Sequence, residues 1–353
     1  MQAEILIYGA YGYTGRLIAQ QAMKQAVNVH LAGRNEESLR QVATETGFTY
    51  TVISLEEDKK LENLLSSYKV VIHCAGPFSE TALPMVKACI SSKTHYIDIT
   101  GEVSVFENIY SFDSQAKEAK IALIPGAGFD VVPTDCLAAH MKERMSDATH
   151  LEMAFVGEKT GMSRGTAITM AKNASQGGYI REKGKLKQVP LAYQIKEVDF
   201  PHRKQWCMTI PWGDLMTAYY QTEIPNIKVF SGASKKMLKR IRRFRFLKFL
   251  LGIAWIQKSV RKKIENSVTG PSQEHLEKGK TYIIATVKND KGDTKTSTLI
   301  TPEAYQLTSL TALKAGLKLI TDNSKNIGYL TPAQAFGKDF ILEFEKVERE
   351  DKA

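Results

Sequence analysis

The residues with the clearest chemical purpose come almost at once, as Gly9-Ala10-Tyr11-Gly12-Tyr13-Thr14-Gly15, three glycines at GxxGxxG spacing. Such a turn lets the backbone approach a ligand closely, and the free N–H groups of a helix that follows it offer a seat for pyrophosphate. Alone the pattern is weak, because an ordinary tight turn satisfies it. Here an apolar strand precedes it and an amphipathic helix follows, which is the context a dinucleotide requires. The next signal is Gly33-Arg34-Asn35. An NAD-binding domain presents an acid to the ribose 2′-OH at about this distance, roughly 20 residues past the glycines. A guanidinium pairs bidentately with a 2′-phosphate, which an acid would repel. The expected cofactor is therefore NADP(H), with Arg34 as the reader; the bland alternative is a solvated arginine beside Asn35 capping the next helix.

Three later loops carry similar punctuation: Cys74-Ala75-Gly76-Pro77-Phe78, Tyr96-Ile97-Asp98-Ile99-Thr100-Gly101-Glu102 and Gly126-Ala127-Gly128-Phe129-Asp130. Each should follow a strand at the carboxyl edge of a parallel sheet, so all three should converge on one cleft. The cofactor contacts expected from the sequence are Gly9, Tyr11, Gly12, Tyr13, Thr14, Gly15, Arg34, Ala75, Gly76 and Pro77. Turn chemistry explains Asp98 and Glu102 as well as catalysis does.

Positioning these loops requires an alternation of strands and helices, and residues 4–125 supply it. Strands are expected at 4–8, 28–32, 49–53, 70–74, 96–99 and 121–124, and amphipathic helices at 14–24, 36–46, 56–66, 81–91 and 105–120. The fold class is α/β, a Rossmann doubly wound parallel sheet, with a second α+β domain carrying a mixed or antiparallel sheet. The first domain is expected at 1–134, joined by a returning segment 302–353, and the second, for substrate or oligomerisation, at 135–301. In the latter, strands are expected at 191–198, 217–222, 280–288 and 293–300, the last two as a hairpin, and a helix begins near Pro302.

Composition narrows the class. The chain has 353 residues and is 43% hydrophobic and 24% charged, an ordinary globular balance with room for two cores. The N-terminus lacks the basic and apolar regions of a secretory signal. Cys74, Cys89, Cys136 and Cys207 form no CxxC pair, and the seven histidines are scattered, so neither disulfides nor a metal is expected. The expected location is cytoplasmic. A GxSxG hydrolase elbow is missing, and Tyr179 with Lys183 matches YxxxK outside the expected Rossmann unit.

In order and spacing, GAYGYTG, LAGRN, CAGPF, YIDITGE and GAGFDVVPTD resemble the saccharopine dehydrogenase-like oxidoreductases. The branch of trans-acting enoyl reductases is the nearest, with SRGTA at 163–167 and Leu330-Thr331-Pro332-Ala333 also similar to it. The resemblance implies an NADP-binding Rossmann domain and hydride transfer to or from a C=C (enoyl) or C=N substrate, with a lipid-related one slightly favoured. It supplies no agreed catalytic acid or base. From the chemistry, such a reduction needs a hydride and one proton donor. The candidates are Tyr96, Asp98, Glu102 and Asp130, with Arg164 as an anion or oxyanion contact.

The formal net charge of +10 is concentrated in residues 235–263, which hold twelve Lys and Arg and no acid; the remainder is close to neutral. The apolar centre, 246–256, is too short to span a bilayer, which takes about 20 residues. Basic ends around Phe, Leu and Trp suit an interfacial helix, while an amphipathic helix packed on its own domain or on a second subunit is the plainer reading. Nucleic acid is not expected, a small and hydrophobic substrate is, and a homo-oligomer is left open. The rival from another class is a non-catalytic NADP-binding protein of a membrane surface or a partner.

Overall fold

The computed structural model describes residues 3–173, 175, 177–246, 253–321 and 326–352. By contacts the chain divides into two compact units, Met1–Val132 with Tyr305–Phe340, and Pro133–Ala304 with Ile341–Ala353.

The first unit holds β1 (Ile5–Tyr8), α1 (Tyr13–Lys24), β2 (Val29–Gly33), α2 (Glu36–Thr46), β3 (Tyr50–Val52), α3 (Asp58–Leu65), β4 (Val70–His73), α4 (Phe78–Ser92), β5 (His95–Asp98), α5 (Val103–Tyr110), α6 (Asp113–Ala119) and β6 (Ala122–Ile124). Helix α7 (Val132–Arg144) then leads into the second unit. β1 and β4 are buried along their whole length, which is why they read as unbroken apolar runs rather than alternating ones. All six expected strands form, within a residue or two of their expected bounds, and all pair in parallel. The sheet order is β15-β6-β5-β4-β1-β2-β3. The order reverses between β1 and β4, and ligands of such sheets bind at the carboxyl ends beside that point.

Two features of this unit were not anticipated. The expected helix 105–120 is two helices, and the break sets Asp113 at the start of α6, where its Oδ1 accepts the Tyr329 amide at 2.8 Å. A seventh strand, β15 (Gly328–Tyr329), pairs in parallel with β6. Ala312 and Leu313 of α13 (Ala304–Thr321) join Ile5, Ile7, Ile18, Leu31 and Ile72 in the core, with Gly316 against Ile5 and Ile72. The short helix α14 (Pro332–Phe336) follows, closed by a Thr331–Gln334 capping box.

The second unit is a mixed sheet in the order β10-β11-β12-β7-β13-β14-β16, with β8 and β9 joined off it through β12. Its strands are β7 (His150–Glu158), β8 (Gly178–Glu182), β9 (Lys185–Val189), β10 (Ile195–Asp199), β11 (Lys204–Thr209), β12 (Asn226–Gly232), β13 (Lys280–Lys288), β14 (Thr294–Pro302) and β16 (Glu348–Lys352). β12 runs parallel to β7 and its other pairs are antiparallel. β13 and β14 are the expected hairpin, with Asn289 Oδ1 accepting the Lys291 and Asp293 amides in the turn. The helices are α8 (Arg164–Asn173), α9 (Asp214–Thr222), α10 (Lys235–Phe244), α11 (Ala254–Ser267) and α12 (Gln273–Lys278).

Three expectations are corrected here. Residues 217–222 are not a strand but lie in α9, which is buried all round its first turn, from Asp214 through Ala218, and again at Thr222. Of 191–198 only the end is a strand, since β10 starts at Ile195. Pro302 is not the first turn of a helix; it is the last residue of β14, paired with Lys280. Beyond these three, the segment 302–353 expected with the first domain is divided, since by contacts Ile341–Ala353 lies in the second unit, where β16 pairs with β14. The expected basic segment 235–263 is divided between α10 and α11, and residues 247–252 lie outside the described residues.

Candidate functional site

The glycine turn connects β1 to α1 and each glycine has a steric reason. Gly9 has φ +79°, and a side chain there would bring Cβ within 2.8 Å of the Ala75 nitrogen. At Gly15 a Cβ would overlap the Gly9 carbonyl oxygen and stand 2.9 Å from Ala10 Cα. Gly12 is the N-cap of α1, and no side chain caps the helix and no acid lies in its first turn. The first N–H groups of the helix are thus left for another acceptor, such as water or a ligand. Here the positive helix end faces the turn without a side-chain acceptor, which suits a pyrophosphate.

Arg34 is exposed directly after β2, and the Asn35 side chain caps α2 by accepting the Ser38 amide at 2.8 Å. The capping role of Asn35 and the reading role of Arg34 are thus compatible rather than alternative. The Tyr11 ring lies across Gly33, where a Cβ would come within 2.6 Å of it. Tyr8 donates to the Ile53 carbonyl at 3.2 Å. Burial pushes its phenol up to about 12, with Tyr11 adding to the rise and Arg34 opposing it.

Hydrogen bonds tie the remaining loops together. The Phe78 amide donates to Glu102 Oε1 at 3.0 Å, joining the loop after β4 to the loop after β5. The Gly126 amide donates to Asp98 Oδ1 at 2.8 Å, joining that loop to the one after β6. With Gly9 packed on Ala75, the sheet's carboxyl edge is continuous from the glycine turn to Asp130. Ala75, Gly76 and Pro77 lie in its middle, and the Thr81 hydroxyl is 2.6 Å from the Ala75 carbonyl and 3.1 Å from that of Pro77.

The candidate proton donors differ sharply in their surroundings. Asp98 is wholly buried and accepts from the Tyr96 hydroxyl at 2.6 Å, the Thr100 amide at 3.0 Å and the Gly126 amide. Burial raises its carboxyl to about 6 although these three donors oppose the shift. Tyr96 is also buried, and burial beside Asp98 holds its phenol far above the usual range. Asp130 is half-buried and has no hydrogen-bond or ionic partner among the described residues; its Oδ2 would be 2.5 Å from a Cβ on Gly101, and partial desolvation pushes it up to about 7. Arg164 belongs to the second unit, where it opens α8 with Nε 3.4 Å from the Val268 carbonyl.

His73, at the end of β4, carried no signal in the sequence. It is fully buried between Tyr8, Phe78 and Tyr96, with ring centroids at 5.6, 5.5 and 6.1 Å. Burial lowers the imidazole to about 3, so it is neutral, with Nε2 3.1 Å from Thr81 Oγ1. The YxxxK match is part of a hairpin. Tyr179 is in β8 and Lys183 is in the tight turn to β9, where Lys183 and Gly184 both have positive φ. In a strand four residues span about 13 Å, so the pair lacks the helical proximity that lets a lysine act on a tyrosine.

Residues 5–124 match the family described as the saccharopine dehydrogenase NADP binding domain. The match ends at the last residue of β6, so it covers the whole six-strand sequence of β-α units. Among relatives, a trans-acting enoyl reductase of Mycobacterium ulcerans is 30% identical over 159 residues, which is 43% of this chain and 38% of that protein. A saccharopine dehydrogenase-like oxidoreductase of Mus musculus is 25% identical over 179 residues, 44% of this chain and 41% of that one. The chain thus covers about two-fifths of these relatives' lengths. Among solved structures, apo saccharopine dehydrogenase (L-Glu forming) from Saccharomyces cerevisiae superposes with a TM-score of 0.70 over 100% of both chains at 13% identity. That likeness is one of fold: a Rossmann sheet with a second mixed-sheet unit. The NADP-binding domain fits the residues present, because the cap-free helix start suits a pyrophosphate and Arg34 suits a 2′-phosphate.

Proposed function

We propose that the protein is an NADP(H)-dependent oxidoreductase of the saccharopine dehydrogenase-like type, which transfers hydride to a C=C (enoyl) or C=N bond of a small, hydrophobic, lipid-related substrate, with Asp130 as the proton donor. The observation that carries this reading is the contrast between Asp130 and the other acids at the sheet's edge. Asp98 is committed to one hydroxyl and two amides, and Glu102 to the Phe78 amide. Among these acids of the described residues, Asp130 alone, half-buried, has no internal partner, and desolvation brings its carboxyl to change protonation near neutrality. A donor works best when its pKa lies near the operating pH. In this reading Tyr96, Asp98 and Glu102 are positioning residues that hold the loops, and Arg164 is left as a candidate anion contact. NADPH supplies the hydride when bound; Gly9, Gly12 and Gly15 hold its pyrophosphate, and Arg34 its 2′-phosphate.

The test is NADPH oxidation, followed by absorbance, with a panel of enoyl thioesters and cyclic imines. Turnover with one class assigns the bond reduced. Tight NADPH binding with no turnover across both classes would instead favour a nucleotide sensor at a membrane surface, the reading suggested by Phe246 and Trp255, which are exposed in the basic stretch.

Arg34→Ala separates the two dinucleotides. Charge-assisted hydrogen bonds contribute about 1.5 to 3 kcal/mol, so NADPH should weaken by that amount while NADH affinity stays nearly constant. Equal affinity of the unmodified protein for both dinucleotides in a calorimetric titration would remove Arg34 from this role.

A further inference from the structure

The match to the NADP-binding domain ends at residue 124, yet two loops at the carboxyl edge of its sheet are held by a helix that begins at Ala304. Within the first unit, Tyr305, Thr308 and Thr311 follow one another at intervals of three on α13, so their side chains lie along one side of the helix. The ring of Tyr305 meets that of Tyr13 edge to face, with centroids 5.2 Å apart and planes at 84°. Tyr13 is the first residue of α1 and lies inside the glycine turn, between Gly12 and Gly15. One turn further along α13, Thr308 Oγ1 accepts the Phe129 amide at 2.9 Å, and the Thr311 hydroxyl donates to the Ala127 carbonyl at 2.8 Å. Both threonines are buried, and Gly128 leaves room for them, since a Cβ there would stand 2.8 Å from the Thr308 methyl. The next turns of α13 are fixed in the core by Ala312, Leu313 and Gly316.

A seat built from backbone amides depends on order. The glycine turn, residues 9–15, holds no charged side chain, and α1 starts without a side-chain cap. Its affinity for a pyrophosphate therefore rises with how little of the turn remains to be ordered when the ligand arrives. The ring pair supplies that order from outside the turn. Tyr13 is half-buried, and its partner stands on a helix anchored both in the core and on the loop after β6, which restricts where the first turn of α1 can lie.

We propose that Tyr305 is a cofactor-positioning residue, which holds the start of α1 through Tyr13 in the geometry that takes the pyrophosphate, with Thr308 as the anchor that keeps α13 in place. The proposal rests on the glycine turn being the seat of NADPH, and on neither the bond reduced nor the proton donor. The full chain is titrated with NADPH, followed by nicotinamide fluorescence, and its thermal midpoint is measured alongside. Tyr305→Leu should weaken NADPH by about twofold to tenfold, the worth of an edge-to-face pair beyond its buried area, whereas Tyr305→Phe, which keeps the ring, should bind as the parent does. Thr308→Val, which deprives the buried Phe129 amide of its acceptor, should also weaken NADPH, and Thr308→Ser should restore it. Because Tyr305 acts through Tyr13, Tyr13→Leu combined with Tyr305→Leu should bind no more weakly than Tyr13→Leu alone. Gly47→Ala is the control for lost stability without lost affinity. The proposal is overturned if Tyr305→Leu binds NADPH as the parent does while Gly15→Ala does not, if Tyr305→Phe loses as much as Tyr305→Leu, if Thr308→Val leaves affinity unchanged, if the two tyrosine losses simply add, or if Gly47→Ala weakens NADPH as much as Tyr305→Leu. Normal NADPH binding by Gly15→Ala would instead remove the turn as the seat, and the brace with it.

Discussion

Asp130→Asn should lower turnover by about 10²- to 10⁴-fold, the usual contribution of a positioned proton donor, while leaving NADPH affinity within a small factor of its original value. In the unmodified protein, kcat/KM should fall as pH rises through about 7, where the Asp130 carboxyl loses its proton, and this limb should vanish in the variant. The same substitution carries a second, opposite signature in stability. The Asp130 carboxyl is raised from 3.8 to about 7 in the folded protein by desolvation. Its favourable contribution is therefore complete below the unfolded value, and is progressively lost as pH rises from about 4 to beyond 7. A shift of this size corresponds to at most about 4 kcal/mol, at about 1.4 kcal/mol per pH unit, and solvent screening at the half-buried carboxyl lowers it well below that ceiling. Asparagine has no proton to lose, so the variant should melt higher than the parent on the alkaline side and show a flatter dependence of Tm on pH. Loss of activity with an unchanged alkaline limb would show that another group donates. Loss of the stability difference would show that solvent reaches Asp130 more freely than its surroundings imply.

The other large effect is at Gly15. An alanine Cβ cannot coexist with the Gly9 carbonyl oxygen, and Ala10 Cα stands only 2.9 Å away. Both obstacles are backbone, so relief requires α1 to move from the end of β1. Overpacking in a closed site costs about 1 to 3 kcal/mol, and here the displaced atoms are those that would meet the pyrophosphate. Gly15→Ala should weaken NADPH binding by at least about a hundredfold and lower the denaturation midpoint by an amount in that energy range. Gly47→Ala is the control for glycine loss alone: its φ of +76° is strained, but a Cβ there meets nothing within 4 Å. It should lose stability without loss of NADPH. If Gly15→Ala binds NADPH normally, the turn is not the seat of the cofactor.

The parts of the fold legible in the sequence were those in which one residue period runs through a long segment. β1 and β4 are apolar throughout because a parallel sheet buries both faces, and α2 was bounded correctly because Asn35 and Gly47 mark its ends. Residues 217–222 read as extended because Thr and paired Tyr favour strands, and the unbroken burial of Asp214 through Ala218 hides the helical period that would mark one face. The β8–β9 hairpin escaped notice because its strands are rich in Lys and Arg, although the Lys183-Gly184 turn is a hairpin signal. At the candidate site, the glycine turn, Arg34 and the edge loops were readable as spacing. What spacing cannot reveal is who bonds to whom. The sequence ranked Tyr96, Asp98, Glu102 and Asp130 alike, whereas their partners separate them. His73 gave no sign because its place is set by aromatic rings from three other segments.

The seventh strand of the Rossmann sheet raises a matter of timing. β6 is translated early, but the neighbour that hydrogen-bonds its outer side, β15, lies near the far end of the chain. While the nascent polypeptide is still on the ribosome, the flank of β6 is an open row of amides and carbonyls, the kind of margin that recruits stray strands from other molecules. Helix α13, which contributes Ala312 and Leu313 to the nucleotide-binding core, is equally late. Until α13 and β15 emerge, newly made protein holds a half-walled cofactor domain, so chaperone demand should rise for any variant that slows arrival of that segment.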